Sequence, residues 1–267
     1  MSKRTLQRLF DSYLSKAPLV PIIKRIDVNL QIDATYFAKF CLVCYQDFGL
    51  KYTQLHRFTY SESYEEIKED LENLSKLGVK IKSVTCDGHK SILKAIKSSL
   101  PDVIIQRCVI HVQRMCFLWL TAKPQSNAGV ELREIVELIH QVKTHNDRLE
   151  FKRRLKLWHE KYKQYIDQKT YQPESQRYWY THKMVRKSYV TIKNALPNMF
   201  HYIEHADIPK STNAIESYFG HLKNHLDLHR GLTKEHRINF IKWYIYFNNN
   251  KRFSKQKMLT NKNKKED

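Results

Sequence analysis

Residues 81–120, IKSVTCDGHKSILKAIKSSLPDVIIQRCVIHVQRMCFLWL, restrict the fold more than any other stretch of the chain. The run at 81–86 reads as a strand and ends at Asp87-Gly88. Residues 90–100 then carry Ile92, Leu93, Ile96 and Leu100 at helical spacing, with Pro101 beyond the helix end. A second apolar strand is predicted at 103–106, and a helix-like run opens with Cys108-Val109-Ile110-His111. Strand, helix, strand and helix in succession belong to an α/β sheet. A lone carboxylate, Asp87, stands at a strand end with a helix behind it, and open α/β sheets place their chemistry at that edge.

The chain upstream adds strands. In RIDVNLQIDATYFAKF, Ile26, Val28, Leu30 and Ile32 share one parity, and Asp33 follows at the strand's end or bend. CLVCYQDF and GLKYTQLHRFTY predict two further strands joined by a turn at 47–49. Three strands with no helix between them predict an antiparallel meander. Residues 63–77 are helical, with Tyr64, Ile67, Leu71, Leu74 and Leu77 on one stripe and Gly78 as the stop. The sum is a mixed sheet with helices on its faces, three antiparallel strands followed by alternating helices and strands. That order matches a ribonuclease-H-like α/β core over 25–122.

Around this core the pattern is helical. Residues 1–24 hold one short helix with Leu6, Phe10 and Leu14 in register, ended by Pro18 and Pro21. It reads as the last helix of something larger or as a lid on the core. Residues 123–205 read as an all-helical insertion: a helix at 131–142, another from a capping box at 144–147 to about 165, a polar linker with Pro173, and a helix at 177–196. Residues 206–250 return to the core with a helix beginning near Thr212 and a final aromatic helix at 234–248. The tail, 251–267, is basic and expected to be disordered.

Charge narrows the partners. Lys and Arg number 47 against 27 Asp and Glu, a formal net charge of +20 over 267 residues. That excess favours a polyanion, with nucleic acid ahead of an acidic membrane surface. No apolar run approaches the roughly 20 residues of a membrane span, and the charged amino terminus lacks the apolar run of a signal peptide. An intracellular, cytoplasmic protein is expected. Five cysteines, Cys41, Cys44, Cys86, Cys108 and Cys116, are an odd number in apolar surroundings and read as reduced thiols.

Two more acids join Asp87. In a ribonuclease-H-like sheet the strands ending at Asp33 and Asp87 are neighbours. The third acid, Glu216, lies in KSTNAIESYFGHLK, where Ile215, Phe219, Leu222 and Leu226 form the buried stripe and Gly220 and Lys223 share the adjoining face. A carboxylate at the margin of a buried face is able to reach a metal pocket. Hard divalent cations take oxygen ligands, and phosphate displacement uses a pair of ions about 4 Å apart. The ordinary readings are a helix cap or turn for each Asp and a dipole-favoured first-turn residue for Glu216.

Ile32-Asp33-Ala34-Thr35, Cys86-Asp87-Gly88, Gln106-Arg107-Cys108-x-x-His111-x-x-Arg114 and Pro209-Lys210-Ser211-Thr212-Asn213-Ala214-Ile215-Glu216 together resemble the Mutator-like group of DDE transposases, which includes many bacterial insertion-sequence enzymes. The resemblance spans roughly residues 25–250. It implies a ribonuclease-H-like fold, a helical insertion between the second Asp and the Glu, and metal-dependent cleavage and joining of DNA. By matching position it makes Asp33, Asp87 and Glu216 the catalytic ligands of two Mg²⁺ (or Mn²⁺) ions. Cys108 and His111 match the group's signature pair; a zinc half-site and a packing role beneath the catalytic edge both stay open. Arg107, Arg114, Lys210, Asn213, Lys223 and Arg230 are candidate phosphate contacts or ordinary surface charges.

The implied partner is double-stranded DNA, transposon ends and target, held by a homodimer or larger assembly in the bacterial nucleoid. Family members usually carry an amino-terminal DNA-binding module, of which TLQRLFDSYL resembles the trailing helix; a truncated frame or a second chain would account for the difference. A non-catalytic DNA-binding remnant and a ribonuclease-H-like nuclease are the competing functions. Cys41-x-x-Cys44 resembles half a zinc knuckle, but on a strand its cysteines point to opposite faces, so no metal is expected there. His89 either touches DNA or caps the helix after it.

Overall fold

The strands upstream of Asp87 pair as a meander. In the computed structural model, which describes the backbone of residues 1–263 and the side chains of residues 1–251, β1 (Arg25–Phe37), β2 (Phe40–Asp47) and β3 (Tyr52–Thr59) run antiparallel. After α2 (Tyr64–Lys76), β4 (Val79–Cys86) pairs in parallel with β1. α3 (Lys90–Ser99) leads to β5 (Ile104–Arg107), giving a five-stranded mixed sheet of order β3-β2-β1-β4-β5. The fold is therefore a mixed α/β one.

Parity separates the two faces of this sheet. Val28, Leu30 and Ile32 of β1 join Cys41, Val43 and Tyr45 of β2 and pack under Ile67, Leu71 and Leu74 of α2 and Ile92 and Ile96 of α3. The opposite face is covered from the carboxyl-terminal end of the chain. There Phe40, Leu42 and Cys44 pack against Ile215, Phe219 and Leu222 of α8 (Asn213–Asp227) and Ile241 and Ile245 of α9 (Lys234–Asn263). A Leu, Ile or Phe side chain taken fully out of water stabilises by about 1.5–3 kcal/mol, so these two layers fix the sheet.

α1 (Lys3–Leu14) starts at Ser2, whose hydroxyl oxygen accepts from Thr5 N–H. Its end is held by α9: Asn239 Nδ2 donates to the Leu14 carbonyl at 2.7 Å and Trp243 Nε1 donates to the Tyr13 carbonyl at 2.9 Å. Asn249 of α9 closes the outer edge of β3, accepting from Thr53 N–H and donating to the Thr53 carbonyl. An edge strand is thereby denied free pairing groups at that residue.

The described chain divides into two compact units, one built from residues 1–105 with those from 212 onward, the other from residues 106–211. In the second, α4 (Val109–Leu120), α5 (Asn127–Glu137), α6 (His145–Asp167) and α7 (Lys183–Ala195) bury Val112, Leu132, Phe151, Trp158 and Ile192. α6 opens with the expected capping box: Thr144 Oγ1 accepts from Asp147 N–H while Asp147 Oδ2 accepts from Thr144 N–H. The all-helical expectation is corrected by β6 (Lys169–Gln172) and β7 (Arg177–Tyr180), an antiparallel hairpin with Pro173 in its turn. Residues 177–180, RYWY, are β-forming aromatics, and Tyr178 pairs across the hairpin with Tyr171 at 4.5 Å between ring centroids.

Two other expectations change. β1 continues four residues past Asp33, so Asp33 lies within the strand rather than at its end. The helix backbone of α9 continues to Asn263, through most of the tail expected to be disordered, because no proline or glycine interrupts residues 234–263. Residues 264–267 lie outside the described residues. Among the described residues no helix is long and apolar enough to cross a membrane.

Candidate active site

β1 carries two different rows of side chains. Its even positions are apolar, whereas Asn29, Gln31, Asp33 and Thr35 are polar and all are buried, Asp33 at 8% exposure. Their cross-strand partners place this polar row on the α8 side of the sheet, since Asp33 pairs with Cys44 and Thr35 with Leu42. β4 contributes Ser83 and Thr85 to the same face, opposite Asn29 and Gln31. Ser83 Oγ donates to Asn29 Oδ1 at 2.7 Å. Burying such groups costs free energy unless they are hydrogen-bonded, so a row of them beneath a helix marks a face shaped for something other than packing.

Asp87 reaches that face by register. Ile32 pairs with Cys86, the last residue of β4, so Asp33 follows that pair within β1 and Asp87 follows it in the turn beyond β4. Gly88, at φ +85°, turns the chain sharply toward α3. Asp87 Oδ1 accepts from His89 N–H at 2.8 Å, an Asx-type turn that fixes the carboxylate just ahead of a helix amino terminus, where negative charge is favoured. His89 takes the N-cap position of α3 without a side-chain capping bond; its imidazole Nδ1 lies 3.5 Å from Glu62 Oε2. Tyr36 donates its hydroxyl to Glu62 Oε1 at 3.3 Å. Burial, followed by the Glu62 charge, pushes the Tyr36 phenol up to about 12.

Glu216 sits in the first turn of α8, half-buried, on the helix that covers the polar row. Thr212, fully buried at the helix start, donates its hydroxyl to Glu216 Oε1 at 3.4 Å. The sheet-and-helix unit therefore contains all three predicted acids. Among the described residues their carboxylate oxygens do not form one cluster with every ligand atom within 4.8 Å of the others.

Cys108 and His111 belong to the helical unit. Cys108 is the N-cap of α4, fully buried, with its sulfur accepting from His111 N–H at 3.5 Å. A His111 ring nitrogen lies within 4.8 Å of that sulfur. Of the predicted phosphate contacts in this unit, Arg107 is buried while Arg114 and Lys210 are exposed. Asn213, Lys223 and Arg230, in the sheet unit, are exposed. Cys41 and Cys44 point to opposite faces of β2, one under α2 and α3 and the other under α8, so they do not share a ligand. Burial and the neighbouring Asp33 charge raise the Cys44 thiol far above its ordinary range, and burial and Glu62 push Cys41 up to about 11. Both thiols stay protonated and inert at neutral pH.

Three features escaped the reading of residues alone: the buried polar row, the Thr212 support of Glu216, and the Glu62–His89 pair beside Asp87. The first carries a signal, Asn-x-Gln-x-Asp-x-Thr at alternate positions of a strand whose other face is apolar. The second is a local i,i+4 contact at the start of α8, and only the Glu62–His89 pair is tertiary, with no local trace.

A family model described as Transposase, Mutator family, matches residues 56–230. The matched span holds Asp87, Cys108, His111 and Glu216 and begins downstream of Asp33. No curated protein matches the chain.

Proposed function

The chain belongs to the Mutator family of transposases, and from that premise we propose that Asp33, Asp87 and Glu216 are the catalytic carboxylates of a DDE enzyme that cuts and joins DNA. The observation that supports the reading is the β1–β4 register, in which Asp33 and Asp87 each directly follow the Ile32–Cys86 pair, together with Glu216 in the first turn of α8, which covers this sheet. Strand order β3-β2-β1-β4-β5 with an antiparallel first half supports a ribonuclease-H-like core.

The donor set fits hard divalent cations. Carboxylate oxygens suit Mg²⁺ or Mn²⁺, and Asp33 stands in a row of buried polar side chains along β1. Phosphate displacement by such carboxylates uses a pair of divalent ions. When bound, such ions activate the attacking hydroxyl and stabilise the leaving oxygen. The residues' own work is positional. His89 N–H holds Asp87 in place, Thr212 steadies Glu216, and the sheet fixes Asp33. A water or a DNA 3′-hydroxyl attacks the scissile phosphorus in line, and the 3′ oxygen of the broken phosphodiester leaves. The net charge of +20 serves the phosphate backbone, and joining two ends calls for at least two subunits.

The test is nicking and strand transfer with element-end DNA in Mg²⁺ or Mn²⁺ and in EDTA. Metal-dependent nicking followed by joining is expected. Salt-sensitive DNA binding with no cutting under any metal would instead make the protein a binding module. Cutting of hybrid or structured nucleic acid without joining would make it a nuclease.

A further inference from the structure

At the tip of the β1–β2 hairpin, four residues beyond Asp33, the sheet face ends in a pair of rings. Phe37 and Phe40 stack with centroids 4.9 Å apart and an interplanar angle of 28°. With Leu232, from the loop between α8 and α9, they wall a cavity of about 230 Å³. The remaining lining is Ala38 and three cations, Lys39 on the hairpin turn with Lys234 and Arg237 on α9, with no carboxylate among the described residues. Lys223 of α8 adds a further ammonium 5.7 Å from the Phe37 centroid.

This chemistry selects its ligand. Aromatic side chains in the wall of a narrow slot contact another planar ring, and cations at the rim bind the charge attached to it. An aromatic floor within a cationic groove is how proteins hold unpaired nucleotides. The cavity is smaller than the 300–1,000 Å³ typical of drug-sized sites, so it admits a base rather than a duplex. Phe37 shares the strand face of Asp33, and four residues of strand span about 13 Å, a reach of a few nucleotides. We propose that this cavity is a stacking subsite for an unpaired base of the DNA strand that runs on from the scissile phosphate, with Lys39, Lys234 and Arg237 on the adjoining phosphates. The proposal rests on the transposase reading for its strand, and on the pocket alone for its chemistry.

The test uses the full chain in EDTA, so that no cutting intervenes, and fluorescence anisotropy on two labelled duplexes, one blunt and one with a short single-stranded overhang. The wild type is expected to prefer the overhang. Phe37→Leu, which keeps an apolar side chain but removes the ring, is expected to weaken overhang binding about fivefold or more, as loss of base stacking does, and to leave blunt binding unchanged. Lys39→Ala/Lys234→Ala, two exposed positions outside the core, is expected to reduce the preference and to flatten the salt dependence of overhang binding by about 1.4 units of log–log slope. A Phe37→Leu protein that keeps the full preference overturns the subsite. If that variant fails to fold, an unchanged preference in the double lysine variant overturns it. Displacement of the overhang by polyglutamate as readily as by oligonucleotide also overturns it, since the pocket would then read charge alone. A wild type that prefers overhangs but never cuts with metal restored sinks the transposase reading and leaves the subsite standing.

Discussion

Thr212 is the residue through which Glu216 is held. Its hydroxyl is buried and reaches Glu216 Oε1 at 3.4 Å, so Thr212→Val preserves shape and removes the bond. Strand cleavage is expected to fall by one to two orders of magnitude, the cost of losing a positioning contact, while a urea unfolding midpoint moves by only about 1 kcal/mol of stability. Unchanged cleavage would remove Thr212 from the account. His56 provides a separate test at this scale. Burial, with the nearby Lys242 ammonium, lowers its imidazole to about 4, whereas an unfolded histidine titrates near 6.5. Below pH 6.5 the unfolded chain therefore takes up the proton first, and stability declines as pH falls toward 4. Between pH 7 and pH 5 the loss from this residue is at most about 2 kcal/mol. His56→Gln should remove that part of the slope in urea titrations at the two pH values.

Among the elements, those with a repeated or capped pattern were legible and those that depend on a distant partner were not. The meander, α2, α3 and the capping box of α6 follow from periodicity and from Thr144 and Asp147. The hairpin β6–β7 did not, because RYWY abuts a helix and its aromatic residues serve either state; pairing with Lys169–Gln172 decided it. The three acids proposed for the site were chosen from the sequence, and their setting was not legible there. Asp33 sits inside a strand because β1 outlasts β4, and no local pattern in β1 records where its neighbour stops. Gln106 shows the same dependence. Buried, its Nε2 donates to the Arg107 and Met199 carbonyls at 2.7 Å, and its Oε1 accepts from His201 N–H at 3.0 Å. Gln106→Ala strands buried backbone groups and is expected to cost about 2–3 kcal/mol, read as a lowered thermal or urea midpoint. A change under 0.5 kcal/mol would show that water replaces the side chain.

For the whole molecule, the decisive arrangement is a sheet with an apolar layer on each face and a row of buried polar side chains from β1 within one of them. One face packs under α2 and α3 and holds the sheet together; the polar row on the other gives Asp33 its surroundings under α8. The α8 face thus combines core packing with the polar row that holds Asp33, so the proposed chemistry and part of the core share one side of the sheet. The net charge of +20 brings DNA to the molecule but says nothing about where it is cut. The central claim concerns that cut. Its most direct test is Mg²⁺-dependent nicking of element-end DNA by the wild type and by Asp87→Asn, with DNA affinity measured in parallel. Asparagine keeps the shape and removes the charge, so nicking should fall to background with affinity within about twofold. Nicking by Asp87→Asn at the wild-type rate would contradict the account.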